Sequence, residues 1–520
     1  MVELVLPPAM IESATVAADW VLVLPLVLCL MGAAATLMLR RSGSLTFVFA
    51  TLILVAVIAC DVTLLLRVLE SGPLSMTMGR WLPPFGISFA ADIFGAGFAL
   101  AAAVVTLVVL VYAQGERGAE DGRDGFHAMV LLLLAGVTGS FLTADLFNLY
   151  VWFEVMLIAS FGLIVLGGRP AQLDGAVKYG FLNFLATTLF LLALGLLYGL
   201  LGTLNMADIL RVAPAANPAA MGGIAALLLL AFSMKAAAFP VNGWLPAAYH
   251  TPPAVISALF AGLLTKVGIY AMLRALVVLL PASRDLLEPV VVAIALATLL
   301  IAPLGAIAET NLRRAIGFLV IGGIGSVMAG IAIPSLAGVS GAGLYVFHAI
   351  LTMTALYLVA GLIEAQTGQT DSRRMGGLYA ASAPLSILFF VLVLAVAGVP
   401  PFLGFWPKLL LLQAGLDEAG WTGGLVAAAL VLNAVLTLIA GSRLWAHIFW
   451  RSAPDGVPVS VLSFDRGLAL RYGATGVLVA MVVAAGLWPN GLFEALRLGA
   501  PDLLDPSRYV AAIGLAGGTP

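Results

Sequence analysis

The chain has 520 residues, of which 62% are apolar and 10% charged, with a formal net charge of −2. Soluble proteins carry about 25% charged residues, so a water-soluble body is excluded, and with no basic face nucleic acid is not an expected partner. Two cysteines in apolar runs, Cys29 and Cys60, support neither a disulfide framework nor a cysteine-based metal or iron–sulfur centre.

A helix needs about 20 apolar residues to cross a hydrocarbon core of ~30 Å. On that measure the sequence predicts fourteen spans, near 20–39, 45–66, 87–113, 126–144, 146–167, 177–201, 221–239, 252–274, 286–308, 315–333, 341–364, 383–412, 423–447 and 471–493. Nothing alternates in the roughly ten-residue segments of a β-barrel. The expected fold class is an all-α polytopic membrane protein. The N-terminus carries Glu3 and Glu12 but neither Lys nor Arg before the first span, the wrong charge for a cleaved signal, so that span is expected to stay. With the N-terminus outside, thirteen basic residues fall in inner loops, Arg40, Arg123, Arg313 and Arg373 among them, against six in outer loops and tail. That asymmetry predicts a multi-pass protein of the cell membrane with both termini outside. The longest loops, around 114–125, 202–220 and 366–382, are too short for a soluble catalytic module.

Only four of the 24 basic residues are lysines. Lys178 starts a span and reads as an interfacial anchor. Lys235, Lys266 and Lys408 lie well inside apolar runs, where an ionisable group costs at least ~2.5–3.5 kcal/mol and is read first as functional. Desolvation lets a buried amine release its proton near neutral pH, whereas Arg stays charged, so a site that loads and unloads protons calls for Lys, His, Glu or Asp. Glu154, eight residues inside its span, is the matching acid, and Glu154–Lys235 is a candidate protonation switch. His348 shares a helix with Thr352 and Thr354, a polar seam open to either relay or structural roles. Asp145 reads as a helix cap, the other histidines (His127, His250 and His447) as interfacial, and Asp61 and Asp92 as buried acids without an obvious partner.

Two spans are interrupted alike, by Phe239-Pro240-Val241-Asn242-Gly243-Trp244-Leu245-Pro246 and by Val399-Pro400-Pro401-Phe402-Leu403-Gly404-Phe405-Trp406-Pro407. Proline removes a helix donor, and freed backbone at membrane depth survives only against protein or a wet cavity. The breaks lie about 160 residues, or five spans, apart. An odd number of spans inverts a second copy in the membrane, and paired broken helices point to an inverted-repeat transporter.

These segments resemble the antiporter-like subunits shared by respiratory complex I, membrane-bound hydrogenases and Mrp-type multisubunit cation/proton antiporters. The most specific stretches are TADLFNLYVWFEVMLIASFGLIVLGG, VKYGFLNF, GTLNMADI, FSMKAAAFPVNGWLPAAYHTPPAVISALFAGLLTKVGIYAMLR and GVPPFLGFWPK. DLFNLYVWFE with GTLNMADI is most similar to the D-subunit branch of the Mrp type. The resemblance implies helices 1–3 over residues 1–125, inverted five-helix repeats over 126–285 and 286–450, and helix 14 with a tail over 451–520. It implies proton-transfer roles for Glu154, Lys235, Lys266, His348 and Lys408. Met353 stands where the family usually has a lysine, five residues after His348, and a thioether carries no proton. The function implied is a proton-translocating subunit of a cation (Na⁺)/proton antiporter, without cofactor, working among other membrane subunits on protons and a monovalent cation in the lipid bilayer. The alternatives are the equivalent subunit of a redox-driven complex and a purely structural membrane subunit. The long lateral helix that some complex I subunits append is not expected, because the chain ends soon after its last span.

Overall fold

A computed structural model of the chain describes residues 16–117, 125–452 and 465–515. Arg123 and the acidic N-terminus lie outside them.

The architecture is a helical bundle dictated by long apolar runs punctuated by Gly, Pro and Asn. Its first helices are α1 (Leu24–Met38) and α2 (Gly43–Ser71). A hairpin of β1 (Leu74–Thr77) and β2 (Ser88–Ala91) precedes α3 (Ile93–Arg117), followed by α4 (Phe126–Leu142), α5 (Leu146–Val165) and α6 (Pro170–Leu201). After the short α7 (Met206–Val212) come α8 (Pro218–Ala236), α9 (Trp244–Tyr249) and α10 (Ala254–Leu279). Then follow α11 (Pro281–Ala308), α12 (Leu312–Ala332), α13 (Leu336–Thr367), α14 (Ala383–Ala397), α15 (Phe405–Asp417) and α16 (Trp421–Trp450). The chain closes with α17 (Arg466–Leu487), α18 (Asn490–Leu504) and α19 (Ser507–Ile513). Among the described residues eleven helices are long and apolar enough to span a membrane, and α1, α4 and α14 are shorter apolar helices.

Three expectations need correction. The third span does not start at 87: residues 88–91 pair antiparallel with 74–77, Leu74 opposite Ala91, and the helix begins at Ile93. A chain with only helices was expected, so this two-stranded ladder is a departure; the segment between Gly72 and Asp92 holds three prolines and two further glycines that no helix interior tolerates well. The last span, expected at 471–493, ends at Leu487, because Pro489 closes it and starts α18 as a separate amphipathic helix. The hairpin, α7 and α19 gather at one end of the bundle, where Ser75 Oγ donates to the Ala512 carbonyl (2.6 Å) and the Tyr509 hydroxyl meets Met206 Sδ (3.8 Å).

Position in the bundle separates the helices. The most apolar stretch of α10 is entirely enclosed by other helices and those of α12 and α13 are 94% buried, while that of α2 is 28% buried. Outward-facing Leu52, Val55, Phe181 and Leu192 cover the flanks of α2 and α6. A small bridge fixes the ends of α5 and α7: Leu146 N donates to Leu204 O (2.9 Å) and Met206 N to Ala144 O (2.9 Å). The same pair recurs 166 residues later, where Leu312 N donates to Thr370 O (2.9 Å) and Ser372 N to Thr310 O (2.8 Å). The capping follows the same shift, Asp145 accepting from Asn148 N (2.8 Å) and Asn311 from Arg314 N (3.1 Å).

Candidate functional site

The first break divides α8 from α9. Lys235 sits in the last turn of α8, and Ala237 caps it in the left-handed region (φ 61°), a conformation that costs a non-glycine residue about 1–2 kcal/mol. Backbone groups freed by Pro240 are satisfied by protein: Trp244 Nε1 donates to Met234 O (2.9 Å) and Phe239 N to Thr298 Oγ1 (3.0 Å). Lys235 Nζ is buried, has no hydrogen-bond partner among the described residues and lies 5.4 Å from the centre of the Phe153 ring. The ring's negative face stabilises the ammonium. Glu154 follows Phe153 on α5, half-buried, with Tyr150 one turn before it and within electrostatic reach of Lys235. Among the described residues no hydrogen bond or ion pair joins Glu154 to Lys235, so the acid acts on the lysine through space rather than in contact.

Lys266 belongs to α10, whose path is altered just before it by a π-helical turn over Phe260–Leu264. A π turn shifts the carbonyls out of the α ladder, and Lys266 Nζ donates to one of them, Ala261 O (2.6 Å), and to Thr265 Oγ1 (3.2 Å). Lys266 packs beside Val320, Tyr345 and Ala349 with no space for a water molecule between them.

His348 lies inside α13, within electrostatic reach of both Lys266 and Lys408. Its Nδ1 shares a hydrogen bond with Thr352 Oγ1 (3.1 Å), and its Nε2 is buried without a partner. Thr354 is not part of this seam, since its hydroxyl is spent on Ile350 O (2.7 Å) of its own helix. Gly404, at the second break, backs onto the imidazole: a Cβ there would lie 2.9 Å from Nε2, so a side chain would displace the ring.

The second break divides α14 from α15. Lys408, in the first turn of α15, reaches back so that Nζ donates to Ala397 O (3.0 Å) and to Asn433 Oδ1 (3.4 Å). Asn433 in turn donates to Leu299 O (2.7 Å). The two breaks therefore use lysine differently: Lys235 is part of the leading half-helix, whereas Lys408 comes from the trailing one. The Lys408 ammonium ends at the carboxyl end of α14, where an unpaired carbonyl favours a cation.

Lys178 pairs with Asp174 (2.5 Å) at the surface, and Met353 is fully buried. Asp92 does have a partner: it caps α3 through Gly95 N (2.7 Å) and forms a buried ion pair with Arg274. Asn433 and the Ala261 carbonyl escaped the sequence reading. A lone Asn in an apolar span was a visible signal; a backbone carbonyl bared by a π turn was not. Among the described residues no three His, Cys, Asp or Glu side chains gather as metal ligands.

Residues 143–437, which hold all five candidate residues, match the family described as NADH:quinone oxidoreductase/Mrp antiporter, transmembrane. The chain belongs to that family. It is 33% identical to the D subunit of the Na⁺/H⁺ antiporter of Bacillus subtilis over 94% of this chain and 98% of that one. The corresponding protein from Alkalihalophilus pseudofirmus gives the same identity and coverage. The fold of this chain matches a chain of the Mrp complex from a Dietzia species (TM-score 0.87, 27% identity, 96% of this chain and 100% of that one). It also matches a chain of the membrane-bound sulfane sulfur reductase, an archaeal respiratory complex (TM-score 0.85, 25% identity, 95% and 99%). A chain of respiratory complex I from Thermus thermophilus shares the fold (TM-score 0.79, 21% identity, 96% and 100%).

Proposed function

We propose that this chain is the D-type, proton-translocating subunit of a multisubunit Na⁺/proton antiporter, passing protons along Glu154, Lys235, Lys266, His348 and Lys408. The observation that carries the reading is the place of His348, buried and within electrostatic reach of two buried lysines, in a chain that aligns nearly end to end with antiporter D subunits. In this reading Glu154 tunes Lys235 through space. Lys266 exchanges protons at the π turn, and His348 hands them across to Lys408. Thr352 fixes the imidazole, leaving Nε2 toward Gly404 and the second break.

The short helices α1, α4 and α14 count as crossings, which gives fourteen with both termini outside the cell membrane. Residues 126–285 and 286–450 form two inverted repeats. The bridge at 146 and 206 and its counterpart at 312 and 372 support that division, since five spans separate them. The partners are the other membrane subunits of the antiporter, and the coupled ion is a monovalent cation.

The test is relaxation of a pH gradient in everted vesicles from an antiporter-deficient host that expresses the whole complex. Wild type and Lys235→Ala are compared at equal assembly, with Na⁺, K⁺ or Ca²⁺ added in turn. Dissipation that needs both a cation and Lys235 is expected. No cation response from an intact complex would favour the redox-linked reading, for which the likeness to the sulfur reductase chain speaks.

A further inference from the structure

Asp61 has no place in the row from Glu154 to Lys408. It lies in α2, ten residues from the helix end at Ser71, about 15 Å at 1.5 Å per residue, too deep for a short side chain to reach water. It is fully buried, and among the described residues neither carboxyl oxygen has a hydrogen-bond partner. Its side chain belongs to the inward stripe of α2, with Val57 and Leu64 a turn away on either side. Leu64 packs in an apolar cluster with Leu26, Ala96 and Ala99. An ionised carboxylate without a partner in such surroundings is strongly disfavoured, and the group takes up a proton instead.

We propose that Asp61 is a second proton-binding site of this chain, a neutral carboxylic acid held among the N-terminal helices α1–α3 and separate from the row of five. The site needs no antiport reading to hold. Its neighbours favour the neutral form. The titratable groups beside it are Cys29 on α1 and Cys60 on α2, both near enough to interact and neither able to supply a cation. Of the charged groups on α2 and α3, Arg67 pairs with Asp19 (2.8 Å) and Asp92 with Arg274, while Glu70 and Glu116 are acids that supply no cation. His127 of α4 makes ring contacts with Phe47 and Phe126. Such an acid gives up its proton only when water or a cation reaches the seam between α1, α2 and α3.

Two measurements on the whole complex in membranes test this. Dicyclohexylcarbodiimide reacts with protonated carboxyls in apolar surroundings. The acid proton passes to a carbodiimide nitrogen while the oxygen adds to its carbon, and an acyl shift leaves a stable N-acylurea. Mapped by tandem mass spectrometry, the adduct is expected on Asp61, to fade at alkaline pH, and to be absent in the near-isosteric Asp61→Asn. It should persist undiminished in Lys235→Ala, and its loss there would overturn the separateness of the site while leaving the antiport reading to its own test. Infrared difference spectroscopy decides the matter where the reagent fails to reach. The carbonyl band of a protonated carboxyl should disappear in Asp61→Asn. A spectrum unchanged by that substitution, with Asp61 unlabelled, overturns the proposal.

Discussion

The ion pair between Asp92 and Arg274 gives the sharpest energetic prediction. Both side chains are almost completely buried, 3% and 8% exposed. Arg274 also donates from Nε to the Tyr270 hydroxyl (2.9 Å) and lies 5.4 Å from the centre of the Tyr509 ring. Arg274→Met therefore strands the Asp92 carboxylate with a single remaining donor, Gly95 N. Removing one member of a buried pair costs about 3–5 kcal/mol. The retained amide bond offsets about 1 kcal/mol at most, which leaves a net loss of about 3 kcal/mol. Asp92→Asn keeps the cap but strands the guanidinium, for a similar loss. The double variant Asp92→Asn/Arg274→Met buries no charge, and its cost should be about 1 kcal/mol. The single losses should therefore not add: two of about 3 kcal/mol against about 1 kcal/mol for the double give a coupling of about 5 kcal/mol, above the roughly 0.5–3 kcal/mol usual for contacting residues because each single variant strands a buried charge. Reversible unfolding of the purified complex in mixed detergent–SDS micelles, followed by tryptophan fluorescence, measures all three. Additive losses, or singles below about 1 kcal/mol, would refute the idea that the pair is closed to water.

Four further outcomes concern the proposed proton path. Lys235→Arg should abolish gradient dissipation as fully as Lys235→Ala, because a guanidinium does not release its proton; an active Arg variant in the vesicle assay removes Lys235 from proton transfer. Glu154→Ala should slow transport and shift its pH profile while Glu154→Asp keeps part of the activity, and unchanged profiles in both would eliminate through-space tuning of Lys235. Asn433→Ala removes a Lys408 acceptor and leaves the Leu299 carbonyl unpaired, worth about 1–3 kcal/mol; slower transport at normal assembly is expected, and wild-type rates would make Asn433 incidental. Met353→Lys buries an unpaired ammonium at a fully enclosed position, so recovery of intact complex should fall sharply, whereas an assembled and active variant would place water beside that residue.

The sequence by itself determined the membrane class, the helical character, the two broken helices and the lysines inside them. Each rests on a local quantity: run length, the absence of charge, proline spacing, or an amine where hydrocarbon is expected. It did not separate strand 88–91 from the helix that follows, because apolar runs in both states look alike over a few residues. Only the tertiary structure decided partners. Asp92 finds Arg274 across 182 positions and Lys408 finds Asn433 on the next long helix, while Asp61, read beside Asp92 as the same kind of buried acid, finds none. Nor could the sequence tell that the Phe153 ring lies against the Lys235 ammonium, or that a π turn bares the carbonyl that holds Lys266. The physical reason is one of range. Burial of an ionisable group follows from its immediate neighbours in the chain, but its charge state depends on what lies within a few ångströms in space, and that is set by how distant helices pack.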